Sequence, residues 1–179
     1  SIGVDNSDSD SFKISDNQTL GTNDRLTIDT SGNVGIGTTA PEGSGLTINQ
    51  AANDNIILSL KSSDVSHGMT NTTEADTYGF IKKYTATGGG VLLQGLSDGD
   101  STPLFLKGAI GASNPTDTTP CVIIAGSRWN GSVSETGLAS TETVLSVEAS
   151  GTKILTALAG GNVGIGTTGP AAMLHIEPD

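Results

Sequence analysis

Ser62, Asp64, Ser66 and His67 fall in one short stretch, and hydroxyl, carboxylate and imidazole are the parts of a nucleophilic relay. Such a relay needs each group within hydrogen-bond reach of the next. Nearness in a Ser-rich sequence does not supply that geometry. Polysaccharide cleavage would use paired carboxylates beside aromatics that stack on sugars. Glu74, Asp76, Asp117, Glu135 and Glu142 offer carboxylates, and Tyr78 and Trp129 are the best-placed aromatics. Asp5, Asp8 and Asp10, and Asp98 with Asp100 around Gly99, carry ligands of the kind Ca²⁺ takes on loops. Neither group has the calcium-loop spacing of Gly and Glu, so both read as solvated turns.

His67 and His175 are the only histidines. On a threefold axis one His from each copy would bring enough imidazoles for a metal. A lone His reads instead as a surface or subunit-contact residue. His175 sits between Leu174 and Ile176, where a strand would turn it away from both. Cys121 opens the apolar run Val122-Ile123-Ile124 and reads as a buried structural thiol. As the single cysteine it forms no intrachain disulfide. Gly164-Ile165-Gly166-Thr167-Thr168-Gly169 matches the dinucleotide string, but Pro170 follows at once and leaves no room for the helix that binding requires. Trp129 lies in the turn-like Ser127-Arg128-Trp129-Asn130-Gly131, where it would plug a subunit interface or anchor a ligand. Asn17, Asn71 and Asn130 head N-glycosylation strings that an Asn/Ser/Thr-rich chain produces by chance. The sequence therefore assigns no catalytic residue, cofactor or metal ligand, and the chain reads as a non-enzyme. Trp129, Tyr78 and His67 remain as ligand or subunit contacts.

The elements that would position these residues are short. Apolar runs such as Phe12–Ile14, Leu26–Ile28, Val34–Ile36, Leu46–Ile48, Ile56–Leu60, Val91–Leu96, Leu104–Leu106, Val122–Ala125, Val144–Val147 and Ile154–Leu158 are punctuated by Gly, Asn, Asp, Ser and Thr. Many alternate apolar with polar residues, the period of a strand with one buried face. Ser31-Gly32-Asn33 and Ser150-Gly151-Thr152 are turn chemistry, so Leu26–Ile36 and Val144–Leu155 read as hairpins. Ser134–Thr143 and Ala171–Leu174 offer at most short helical turns. The expected class is all-β, built from short antiparallel strands and hairpins.

Of the 179 residues, 8 are Lys or Arg and 19 Asp or Glu, a net charge of −11. So few cations argue against nucleic-acid binding, which depends on phosphate contacts. No apolar run reaches the roughly 20 residues of a membrane-spanning helix. The chain starts at Ser1 without Met and shows no signal peptide, and reads as a processed or excised piece of something longer. Aromatics are 3% of the chain, too little bulk for one copy to fill a core alone.

One string recurs. Gly32-Asn33-Val34-Gly35-Ile36-Gly37-Thr38-Thr39-Ala40-Pro41 returns as Gly161-Asn162-Val163-Gly164-Ile165-Gly166-Thr167-Thr168-Gly169-Pro170, each followed by a Leu-x-Ile strand. The division this implies is 1–50 as the end of one module and 51–179 as a complete second one. Gly35 and Gly37, and Gly164 and Gly166, leave one strand face without side chains. Another backbone, from this chain or from a symmetry mate, can then approach closely, and these read as subunit-packing glycines.

Asn-Val-Gly-Ile-Gly-Thr-Thr-x-Pro followed by Leu-x-Ile resembles the shaft motif of bacteriophage tail-fibre and related virion fibre proteins. The central stretches Leu58–Thr70 and Asn114–Pro120 are also similar to modules of phage structural proteins. The resemblance implies a homotrimer with a β-rich shaft, of β-prism or β-sandwich-like form, located on the virion or otherwise extracellular. Its partners would be its own copies, neighbouring fibre or virion proteins and a host surface glycan. Neither a self-cleaving chaperone nor a receptor-binding tip is identifiable, so the resemblance implies a segment that spaces or presents a host-attachment tip. Two other readings stand beside it: a carbohydrate- or receptor-binding module whose loops 64–79, 97–103 and 126–137 touch the host, and a polysaccharide depolymerase. A non-viral surface filament would share the same motifs.

Overall fold

Period-two alternation and turns rich in Gly, Asn, Asp and Ser produce strands joined by tight loops. The computed structural model describes residues 1–43, 45–110 and 120–177. The strands are β1 (Ile2–Asp5), β2 (Ser11–Ser15), β3 (Asp24–Ile28), β4 (Val34–Ile36), β5 (Leu46–Ile48), β6 (Ile56–Lys61), β7 (Thr77–Thr85), β8 (Gly89–Gly95), β9 (Arg128–Trp129), β10 (Glu135–Thr136), β11 (Thr143–Ala149), β12 (Thr152–Leu158), β13 (Val163–Ile165) and β14 (Leu174–Ile176). The protein is all-β, with no helix among the described residues. Two compact units are separated after Phe105. Ser1–Phe105 holds the sheets β1-β2-β3-β4-β5 and β6-β7-β8; Leu106–Asp179 holds β10-β9 and β11-β12-β13-β14.

Both expected hairpins form, β3–β4 with Gly32 at φ +84° and β11–β12 with Ser150 and Gly151 at φ +49° and +85°. The Leu-x-Ile strands differ from an all-antiparallel scheme. β5 and β14 return parallel to β4 and β13, because the turn through the Thr-Thr-x-Pro string reverses the chain and a further loop reverses it again. The longest strand, β7, lies where the sequence showed no clean run, since Gly79 and a Lys pair interrupt its apolar residues. Leu104–Leu106 and Val122–Ala125 lie outside every strand despite their β-type composition. Asn114–Thr119, Asp117 included, lies outside the described residues.

The sheet faces invert the usual arrangement. Cross-strand register puts Ile2 with Ile14, Val4 with Phe12, Phe12 with Ile28, Ile14 with Leu26, Leu26 with Ile36, and Ile36 with Ile48. These side chains share one face, and Ile2, Val4, Phe12, Ile36 and Leu46 on it are exposed. The opposite face carries Asp5, Ser11, Lys13, Ser15 and Thr27, all buried. The chain's own loops cover that polar face: the Ser15 hydroxyl donates to Thr22 O at 2.5 Å, and the Thr27 hydroxyl to Thr38 O at 3.0 Å. The alternation thus marks a buried face, but the polar residues occupy it.

The glycines explain how the loops come so close. A Cβ on Gly35 would stand 2.9 Å from Thr38 Cγ2 and 3.0 Å from Thr38 O, and one on Gly37 (φ +72°) 2.4 Å from Asn49 O. Gly164 and Gly166 meet Thr167 and Glu177 O in the same way, at 2.8 Å and 2.7 Å. The backbone that these four glycines admit is the chain's own. Their presence is accounted for without a second copy.

The second repeat reproduces the scheme beyond the glycine string. Leu145, Val147, Leu155, Val163, Ile165, Leu174 and Ile176 share one face by register; Ser146, Thr156, Gly164 and His175 share the other. Thr156 stands where Thr27 stands in the first copy, fully buried, but its hydroxyl has no hydrogen-bond partner. Thr27→Val is expected to cost about 1 kcal/mol, because Thr38 O loses its donor, whereas Thr156→Val is expected to be neutral or stabilising. Gly37→Ala should cost about 2 kcal/mol or more, from strain at positive φ plus the clash with Asn49 O. Urea or thermal melts of the three variants check these values.

Candidate functional site: exposed apolar sheet faces

The chemistry-bearing residues come together differently from their order in sequence. His67 is not at the surface. It is 3% exposed, its Nε2–H donates to Thr77 O at 2.8 Å, and its Nδ1 accepts from Met69 N–H at 3.2 Å. Both ring nitrogens are spent on backbone, so the imidazole has none left for Ser62, Asp64, a ligand or another copy. Ser62 donates to Asp64, and that bond holds the Asp64 carboxyl below its ordinary value. The relay is not assembled: Ser62 and Asp64 pair with each other, and His67 spends both nitrogens on backbone.

Asp5 is not a solvated turn residue but a buried strand end, and Asp8, half-exposed in the turn that follows, still reaches inward to the same cation, Lys13. With Asp24 they surround Lys13, a lysine only 1% exposed, whose Nζ lies 3.0 Å from Asp5, 2.6 Å from Asp8 and 3.4 Å from Asp24. Asp10 stays exposed in the turn at φ +64°. An ammonium inside a protein requires such partners, since an unpaired buried charge is very costly. Burial pulls the Lys13 amine down, but the bonds to Asp8 and Asp5 outweigh it and the net shift is upward. The Ser7 hydroxyl (2.6 Å) and then Lys13 hold Asp5 below its ordinary value.

Paired carboxylates occur once more. Lys61 bridges Glu74 and Asp76, the latter at 3.1 Å, and both raise its amine. Lys61 and Glu74 border an open cleft of about 780 Å³, lined also by Ile56, Ser59, Thr70 and Thr73, with no aromatic in its wall. Tyr78, 43% exposed, borders a second cleft of about 430 Å³, where Asp64–Ser66 and Leu96–Pro103 converge. Glu135 accepts from Ser127 at 2.6 Å, and Glu142 lies 3.6 Å from Arg128. Asp98 and Asp100 are exposed.

Trp129 is 70% exposed, its indole N–H donating to Ser132 O at 2.7 Å within the β9–β10 hairpin. Cys121 is exposed rather than buried, because the run it opens joins no sheet. Val122, Ile123 and Ile124 beside it are 52%, 72% and 63% exposed. His175 faces Gly164 across the ladder, on the polar side as its spacing predicts, and accepts from Ala171 N–H at 3.3 Å.

The dominant surface feature is therefore apolar. Among the described residues Phe80 and Leu96 are the buried core hydrophobics, while each of the larger sheets turns an apolar face outward. On β6-β7-β8 that face is Leu58, Leu60, Ile81, Val91 and Leu93. The signal for these faces was present as alternation in the sequence; which face the loops would cover was not. No family model, no curated protein and no solved structure matches this chain.

The Lys13 cluster sets a pH window. Asp5 lies lowered from 3.8, so its contribution is present above that value and is lost as pH falls through the depressed one. Lys13 lies raised from 10.5, so its contribution is full below that value and is lost as pH climbs through the raised one. Melting temperature is expected to be flat between 3.8 and 10.5 as far as these groups go, and to fall on either side. Lys13→Met should cost about 3 kcal/mol at neutral pH by leaving buried carboxylates unpaired. Melts followed across pH check both statements.

Proposed function

We propose that this chain is a structural segment of a homotrimeric extracellular fibre, of the phage-tail type, that spaces or presents a host-attachment tip. The observation that carries the reading is the one-sided packing. Among the described residues two hydrophobic side chains are buried in the core, while three sheets expose apolar faces. Covering a half-exposed Leu, Ile or Val is worth about 1 kcal/mol. The three faces carry thirteen exposed side chains of this kind, so covering them supplies roughly 13 kcal/mol, the same order as the roughly 4–15 kcal/mol of lost freedom on association. The repeated glycine string and its fibre likeness supply the kind of assembly, and the net charge of −11 keeps neighbouring fibres apart. Partners in this reading are other copies of the chain and the adjoining fibre or virion proteins. It calls for no enzymatic activity, nucleic acid, membrane or cofactor.

Analytical ultracentrifugation of the purified chain is expected to give a species near three times 17.9 kDa. A compact single chain that melts cooperatively would overturn the reading.

A carbohydrate-binding role has one observation in its favour. Two loops that the sequence marked as host contacts, 64–79 and 97–103, converge on the cleft beside Tyr78, where an aromatic face stands near Asp64 and Asp98. If the cleft holds a sugar, Tyr78→Ala should abolish glycan-array signal while leaving the melting temperature within about 2 °C, as for surface substitutions generally. Absence of signal from the unaltered chain would remove this role.

A further inference from the structure

We propose that Leu106–Ile110 and Pro120–Ser127 are strands whose sheet partners lie on a second copy of this chain. This rests on the self-assembly reading above and adds which segments join the copies. The first observation is the backbone. Neither segment makes a backbone–backbone hydrogen bond to any other described residue. Backbone left in that state, bent at Cys121 and Val122 and free of assigned structure over Leu106–Ile110 and 123–127, is a template for another strand. The second is composition. Val122-Ile123-Ile124 is a β-branched run of the kind that sheets favour. Yet Ile123 and Ile124 are 72% and 63% exposed, and Leu106 is 70% exposed.

The third observation is that the segments already meet. A Cβ on Gly108 would lie 2.0 Å from Cys121 O, so the two backbones touch side by side at a residue that has no side chain. They touch there without a backbone hydrogen bond between them, so both keep their pairing groups for another strand. Charge identifies the occupant. The chain carries −11 overall, but these segments contain no carboxylate and one cation, Lys107. Here two copies of an acidic chain can approach without like-charge repulsion. A basic partner would gain more on the acidic surface elsewhere. An apolar, carboxylate-free pair of segments suits another copy of itself.

Amide exchange on the assembled protein tests this directly, with its mass measured on the same sample. Peptides covering 106–110 and 120–127 are expected to exchange at least about ten-fold slower than their unstructured rates. Cys121, the only thiol, should react with a maleimide far more slowly than in denaturant. Ile123→Asp should shift the mass toward a single chain with the β-sheet circular dichroism retained, since residue 123 belongs to no sheet of its own chain. Ile123→Val should leave the mass unchanged. Oligomers whose 106–110 and 120–127 amides exchange freely would sink this inference and leave the fibre reading standing. A single-chain mass for the unaltered protein would sink both.

Discussion

Much of this fold follows from which side of the two repeat sheets the loops cover. In both they cover the polar side, whereas β6-β7-β8 buries Phe80 on the face opposite its exposed Leu58 and Leu93. Thr38, Pro41 and Thr22 lie over the face carrying Thr27, Gly35, Lys13 and Ser15; Thr167 and Pro170 do the same for Thr156 and Gly164. Once that side is closed, Ile, Val and Leu are left facing outward on every larger sheet. A chain arranged in this way gains little from burying apolar surface alone, and that term dominates most folding. Much of its own stability has to come from polar contacts inside.

The polar interior is built with care. A Thr hydroxyl, a Gly without Cβ and a neighbouring carbonyl fit a narrow space that a Leu would overfill. The two repeats treat the middle of that face differently. Lys13 pairs across the ladder with Thr27 in the first, and Ser146 with Thr156 in the second. The lysine requires Asp5, Asp8 and Asp24 around it; the serine requires none. Asp5, Asp8 and Asp24 thus act as counter-ions to Lys13.

The candidate site was legible in part. Alternation in Leu26-Thr27-Ile28 and Leu46-Thr47-Ile48 marked strands with two unlike faces, and the scarcity of aromatics marked a chain with little to fill a core. Tyr78 and Trp129 stay exposed. His67 and Cys121 exchanged places: the histidine is inside and the thiol outside. Imidazole can be buried when Thr77 O and Met69 N–H satisfy both nitrogens. A thiol goes with its strand, and the run after Cys121 found no partner within the described chain.

Sequence by itself determined the element type, the two hairpins and the duplicated unit, because period-two alternation, positive-φ turn residues and a repeated string are local properties. It also determined that interior volume would be scarce. Only the tertiary structure decided which face closes, since alternation marks two faces and says nothing about where the loops will lie. It likewise decided that β5 and β14 run parallel, that Lys13 gathers aspartates from three places in the chain, and that four glycines serve the chain's own turns. Each of these depends on residues brought together by loops, whose paths no local pattern encodes.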